Sequence, residues 1–212
     1  MSLYGDIHPK FHVTSSFAFD EDFSTAAEIT EADGSVLKSV NGMSAVEYLK
    51  KLGMLTEDNA VAGSGIWAVP AILKYSNGIK IARAFLGILE GTEYIFASGT
   101  IEEGAKIMFG NLSSEKTLAS AEKLIEELTQ SKENDVLAYS CAARAWSLVK
   151  FSAEAQKIAE CAVLYEEKNN APFNYSVTFS GGEICPIYAS PGKYTNYLHN
   201  YTLIVCSFYT LS

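Results

Sequence analysis

From Ile66 onward the chain is written in short apolar or alternating runs, IWAVPAILKY, IKIARAFLGIL, EYIFASG and AKIMFGN, separated by Ser76-Asn77-Gly78, Glu90-Gly91 and Gly104. Side chains alternate faces along a strand and glycine and asparagine punctuate turns, so this stretch predicts an antiparallel meander. Pro70 cannot donate to a strand ladder and marks an edge, a bulge or a strand end. Upstream, Phe11–Phe19 is rich in β-formers, and Ile29–Val40 reads as a hairpin around Asp33-Gly34, together an edge-like opening unit. After Asn41-Gly42, Ser44 is placed to cap a helix, Glu47 to close its capping box and Met43 to pack on Tyr48, with the helix ending at Gly53.

The second half changes character. Ser113 or Ser114 caps a helix in which Leu118, Ala121, Ile125 and Leu128 recur at helical spacing, with Glu122, Lys123, Glu126 and Glu127 on the wet side. Val136–Cys141 is a buried-strand candidate running straight into AARAWSLV, and Ser152 starts a further amphipathic helix to about Tyr165. Tyr175–Tyr188 reads as strand interrupted by Gly181-Gly182, and Tyr201–Leu211 is an aromatic, β-branched closing strand. The pattern predicts an α+β (mixed α/β) fold of mainly antiparallel sheets flanked by amphipathic helices. At 212 residues, a chain of this size buries roughly 70 % of its unfolded surface and holds a real core.

Charge narrows the partners. Twenty-five acidic residues against sixteen basic ones leave a formal net charge of −9, and the longest basic block is Lys50-Lys51. Such a surface does not track phosphates, so no nucleic-acid partner is expected. The apolar stretches, Gly65–Leu73 among them, fall short of the roughly 20 residues a membrane helix needs, so no membrane insertion is expected. The opening MSLYGDIHPK has neither a basic nor an apolar leader region, and the chain reads as cytoplasmic. Cysteines at 141, 161, 185 and 206 lie singly among apolar neighbours, the pattern of reduced core thiols, and no metal or cofactor is expected.

Four places carry candidate chemistry. In Ser140-Cys-Ala-Ala-Arg144 a strand becomes a helix, where backbone N–H groups lower a thiol's pKa or hold an anion; equally, Cys141 is a small core hydrophobe and Arg144 pairs with a carboxylate. In Gly181-Gly-Glu-Ile-Cys-Pro186 the paired glycines permit close approach to a ligand that Glu183 would hold, or else they form a bulge. His199-Asn200, before the last strand, offers a base for Cys141 or Cys185, or a strand-end hydrogen-bonder. His8 and His12 flank Pro9 and lack a third metal ligand. Ser113-Ser-Glu-Lys116 has acyl-enzyme S-x-x-K spacing but opens a surface helix and reads as a cap, and Gly63-Ser-Gly65 is no phosphate loop.

In order and context, several segments resemble the C-terminal part of FIST proteins. Ile81-Ala-Arg-Ala-Phe-Leu-Gly87 is similar to that family's R-S-x-L-G-like strand, and Tyr139-Ser-Cys-Ala-Ala-Arg144 to its F-S-C-A-A-R segment. Gly182-Glu-Ile-Cys-Pro186 resembles its Y-G-E-I-x-P segment, and Leu198-His-Asn-Tyr-Thr-Leu203 its F-H-N-x-T-L strand. Ala27–Tyr48 resembles the junction at the end of the family's N-terminal FIST region, so the resemblance divides the chain into 1–56 and 57–212. It departs from the family at Gly181, where an aromatic usually precedes the glycine-glutamate pair.

The resemblance implies a small-ligand sensory module of a signal-transduction protein, binding an amino acid or related metabolite, with a signalling-protein partner, and not an enzyme. The site residues expected are Arg83, Cys141, Arg144, Gly182, Glu183, His199 and Asn200, with a ligand carboxylate on Arg144 or the helix N-terminus and an ammonium on Glu183. The competing readings are a cysteine-dependent hydrolase or transferase using Cys141 or Cys185 with His199, and a structural dimerisation or docking module.

Overall fold

The computed structural model describes residues 7–17, 22–55, 70–110, 112–130, 134–148, 150, 152–190 and 193–210. Gly63-Ser-Gly65 and the first residues of the Ile66 run lie outside these. In chain order the elements begin with β1 (Ile7–Ser15), β2 (Ala27–Asp33), β3 (Val36–Val40), the short β4 (Met43–Ser44) and α1 (Ala45–Lys51). Then come β5 (Ala71–Lys74), β6 (Lys80–Arg83), β7 (Phe85–Ile88), β8 (Ile95–Ala97) and β9 (Lys106–Phe109). The second half holds α2 (Ser114–Gln130), β10 (Asp135–Cys141), α3 (Ala142–Ser147) and α4 (Ala153–Asn169). It closes with β11 (Asn174–Ser180), β12 (Glu183–Ser190), β13 (Lys193–His199) and β14 (Thr202–Thr210). The fold is mixed α+β with mainly antiparallel sheets.

These elements gather into two compact units. Unit 1 takes Met1–Ser16, Ser113–Glu183 and Tyr201–Ser212; unit 2 takes Phe17–Leu112 and Ile184–Asn200. The units interleave along the chain and follow other lines than the 1–56 and 57–212 segments.

In unit 1 a four-stranded sheet runs β1-β14-β10-β11. β10 pairs antiparallel with β14 but parallel with β11. A parallel pair needs a long crossover, which α3 and α4 supply between β10 and β11. The apolar stripe of α2, Ala121, Leu124, Ile125 and Leu128, packs with Ile158, Ala162 and Tyr165 of α4 over Val136, Ala138, Leu203 and Val205 of the sheet. The Ser113 side chain accepts from the Lys116 N–H at 3.4 Å, so the S-x-x-K segment caps α2. Ser152 stands at the start of α4 without a side-chain cap bond, and α4 runs four residues past Tyr165 to Asn169.

Unit 2 holds an eight-stranded sheet in the order β6-β5-β9-β2-β3-β8-β7, with β4 on β3, and a separate β12-β13 pair. β5–β6 and β7–β8 are hairpins, but β9 returns to lie between β5 and β2, so the expected simple meander is corrected to a re-entrant order. The β2–β3 hairpin is likewise central rather than edge-like, because β9 and β8 supply ladders on its two sides. Its turn residues are Gly34 and Ser35, one place later than expected: Asp33 stays in the ladder opposite Val36, and Gly34 takes a φ of +56° that favours glycine. Ser44 caps α1 by accepting from the Glu47 N–H, and Gly53 follows at a φ of +70°. Ala45, Val46 and Leu49 of α1 join Ile29, Leu37, Leu73, Ile81, Phe85, Ile95 and Ile107 in one core.

Candidate functional site

The seven residues singled out from the sequence divide between the units. Cys141, Arg144, Gly182 and Glu183 belong to unit 1; Arg83, His199 and Asn200 belong to unit 2. Each set has its own partners.

In unit 1 the β10–α3 junction buries Arg144 completely. Its Nε donates to Glu154 Oε1 at 3.0 Å, and Nη2 also bonds Glu154, Thr117 O at 3.0 Å and Ser120 Oγ at 3.1 Å. Nη1 donates to Ser16 Oγ at 3.0 Å and Tyr201 O at 3.3 Å. All five N–H groups of the guanidinium are therefore engaged, and none is left for a ligand carboxylate. Glu154, whose other oxygen accepts from Ser140 Oγ, was missed in the sequence. Its signal was a charge lying on the α4 stripe with Ile158, Ala162 and Tyr165.

Arg144 also fixes the backbone. Tyr201 has a φ of +59°, an uncommon value for a bulky residue, and its carbonyl is held by both Arg144 and the Ser16 N–H at 3.0 Å.

Glu183, at the start of β12, is buried and accepts from Ser180 Oγ and Thr202 Oγ1, each at 2.6 Å. Burial pushes its carboxyl up to about 7 although both hydroxyls, Arg144 and the Cys141 thiol pull the other way. Cys141 is buried beside it, and burial followed by the Glu183 charge holds the thiol above its usual range. Burial of this kind disfavours the thiolate, the nucleophilic form of a cysteine.

Gly182 precedes Glu183 with a φ of +143°, a region open to glycine almost alone. Gly181 has open space where a Cβ would stand. Gly182→Ala is expected to destabilise the chain by about 1–3 kcal/mol while Gly181→Ala stays within about 0.5 kcal/mol of the parent, measured by urea unfolding.

In unit 2, Arg83 at the end of β6 is 2 % exposed. Its Nε donates to Thr100 O at 3.3 Å, Nη1 to Leu198 O at 2.6 Å and Ala82 O at 3.4 Å, and Nη2 to the Tyr75 hydroxyl at 3.1 Å. These acceptors are neutral. Burial lowers the pKa of the guanidinium, Tyr75 and Tyr197 oppose the shift, and no carboxylate among the described residues adds to them. The absence of a side chain on Gly99 allows this approach, since a Cβ there would stand 3.1 Å from Arg83 Nε.

Asn200 Oδ1 accepts from Ser98 Oγ and from the Ala84 N–H, tying the end of β13 to the strands beside Arg83. His199 is buried, its Nε2 has no hydrogen-bond partner among the described residues, and burial holds its pKa below the usual range while a bond with the Cys185 backbone opposes that shift.

Arg83 lines a cleft of about 770 Å³ within unit 2, together with Tyr75, Glu102, Tyr197 and Leu198. Its volume lies in the range of small-molecule sites. The rings of Tyr75 and Tyr197 stand 6.4 Å apart, centroid to centroid. Neither tyrosine nor Glu102 was singled out in the sequence, where more than a hundred residues separate the two rings and nothing marks them as neighbours.

A mixed α+β fold that lines a cleft with a buried arginine, and holds its cysteines as buried or partly buried thiols, is the class this chain represents. More narrowly, the chain belongs to the FIST C domain family, which matches residues 45–186. FIST C domains are generally sensory domains of signal-transduction proteins. The Arg83, Cys141, Arg144 and Glu183 segments fall inside the match, and the His199-Asn200 strand lies beyond it. No curated protein and no solved structure is significantly similar to the chain. Among the described residues no helix is long and apolar enough to cross a membrane.

Proposed function

We propose that the chain is an intracellular small-ligand sensory module, and that it works by binding rather than by catalysis. The ligand, an amino acid or related metabolite, enters the unit 2 cleft. The observation that carries this reading is the cleft itself: it joins two tyrosine rings to a buried cation whose hydrogen-bond acceptors are neutral. Family membership supports the sensory role, and a signalling protein is the partner to which an occupied cleft would report.

A cysteine-dependent enzyme is the weaker reading. Of its two candidate nucleophiles, Cys141 is buried with its thiol pushed up, the reverse of what a nucleophile needs, and Cys185 is buried as well. With an alkylating agent at neutral pH, Cys141 is expected to react only as the chain unfolds; rapid labelling at that residue in the folded protein would restore the enzyme reading.

Thermal unfolding against amino acids and related metabolites tests the sensory reading. A ligand at a hundredfold excess over its Kd adds about 2.7 kcal/mol, a rise of roughly 5–10 °C in Tm for a chain of this length. A Tm unmoved across that set would contradict it.

A further inference from the structure

We propose that the unit 2 cleft holds the single carboxylate of a small ligand on Arg83. This rests on the reading of the cleft as the ligand site and adds the charge and shape of what fills it.

A buried cation is costly unless it is paired, and the Arg83 guanidinium is surrounded by three backbone carbonyls and a phenol. Arg144 in unit 1 shows the paired alternative, with its own glutamate. Four of the five Arg83 N–H groups are used, and the second N–H on Nη2 has no acceptor among the described residues. The Tyr197 hydroxyl accepts from Asn77 Nδ2 at 3.2 Å, and its own proton likewise has no acceptor among those residues. The cleft thus offers an oxyanion one charged and one neutral donor.

The same count selects the kind of anion. One guanidinium balances one negative charge, and Glu102 also lines the cleft. A phosphate ester carries nearly two charges at neutral pH, and the second would sit uncompensated near Glu102. A carboxylate carries one and matches the planar fork of arginine. Tyr75 is fixed by donating to Thr100 O at 2.6 Å, and with Tyr197 it gives the ligand's body an aromatic wall.

Calorimetric titration of the whole chain with acetate, phenylacetate, the neutral phenylacetamide and phenyl phosphate tests the proposal. Phenylacetate is expected to bind about tenfold or more tightly than phenylacetamide, the worth of a charge-assisted bond, and more tightly than phenyl phosphate. Arg83→Gln should reduce phenylacetate to the level of the amide. Because Arg83 also holds backbone carbonyls, Glu102→Gln provides a second arm that does not depend on that variant folding. It removes a like charge at the rim and should tighten phenylacetate about twofold or more at low salt while leaving the amide unchanged.

Equal binding of the amide and the carboxylate overturns the charge assignment and leaves the cleft standing as a ligand site. So does absence of binding by both phenylacetate and acetate when a neutral metabolite shifts the amide resonances of Thr100 and Leu198. If a metabolite that raises the Tm leaves those resonances unmoved, the placement of the ligand in this cleft fails instead, and the carboxylate assignment with it.

Discussion

Arg144→Met destabilises the chain by about 3–5 kcal/mol, because it leaves the Glu154 carboxylate buried without its cation. Glu154→Leu costs a similar amount for the converse reason. The double variant Arg144→Met/Glu154→Leu is expected to be more stable than either single one. The two charges leave together, and the carbonyls they release keep other donors: Tyr201 O retains the Ser16 N–H, and Thr117 O retains Ser120 Oγ. Urea unfolding of the four proteins measures this coupling directly. Additive losses in the double variant would mean that Arg144 acts through Ser16, Thr117 and Tyr201 rather than through its ion pair.

The second large effect is a pH dependence. Glu183 titrates near 7 in the folded chain against an ordinary value of 4.5. A raised carboxyl pKa favours the folded state while the group is protonated, so its contribution is complete below about pH 4.5. It is lost as the pH rises to about 7 and changes little beyond. The shift corresponds to roughly 3 kcal/mol across that window. Glu183→Gln cannot ionise and keeps an oxygen to accept from Ser180 or Thr202. The variant is expected to match the parent near pH 4 and to exceed it by up to about 3 kcal/mol at pH 8. Parallel stability profiles for the two proteins would mean that the carboxylate is solvated in the folded state.

Local chemistry made much of the fold legible. The Ser44 cap, the α2 stripe, the β10-to-α3 junction and the glycine break before Glu183 each follow from a few neighbouring residues. Long-range pairing did not. The return of β9 between β5 and β2, and the parallel pairing of β10 with β11, are decided by which apolar faces must be covered together, and that information is spread over the whole chain. The interleaving of the two units has the same origin.

The site was legible to a similar extent. Arg144 drew attention at a strand-to-helix junction and Glu183 beside paired glycines, while Arg83 entered through the family resemblance. Which arginine is satisfied could not be read, since Glu154 stands at the start of the next helix, ten residues from Arg144, whereas among the described residues Arg83 bonds carbonyls and Tyr75. The carboxylate role expected of Arg144 has no free N–H behind it, and Arg83, in the same expected set, retains one.

The most direct measurement is amide chemical-shift mapping of the whole chain against pooled amino acids and related metabolites. The expected result is a set of shifts centred on Arg83, Gly99, Thr100 and Leu198. Shifts centred on Cys141 and Glu183 instead, or none at saturating concentrations, would contradict a sensory role for the unit 2 cleft.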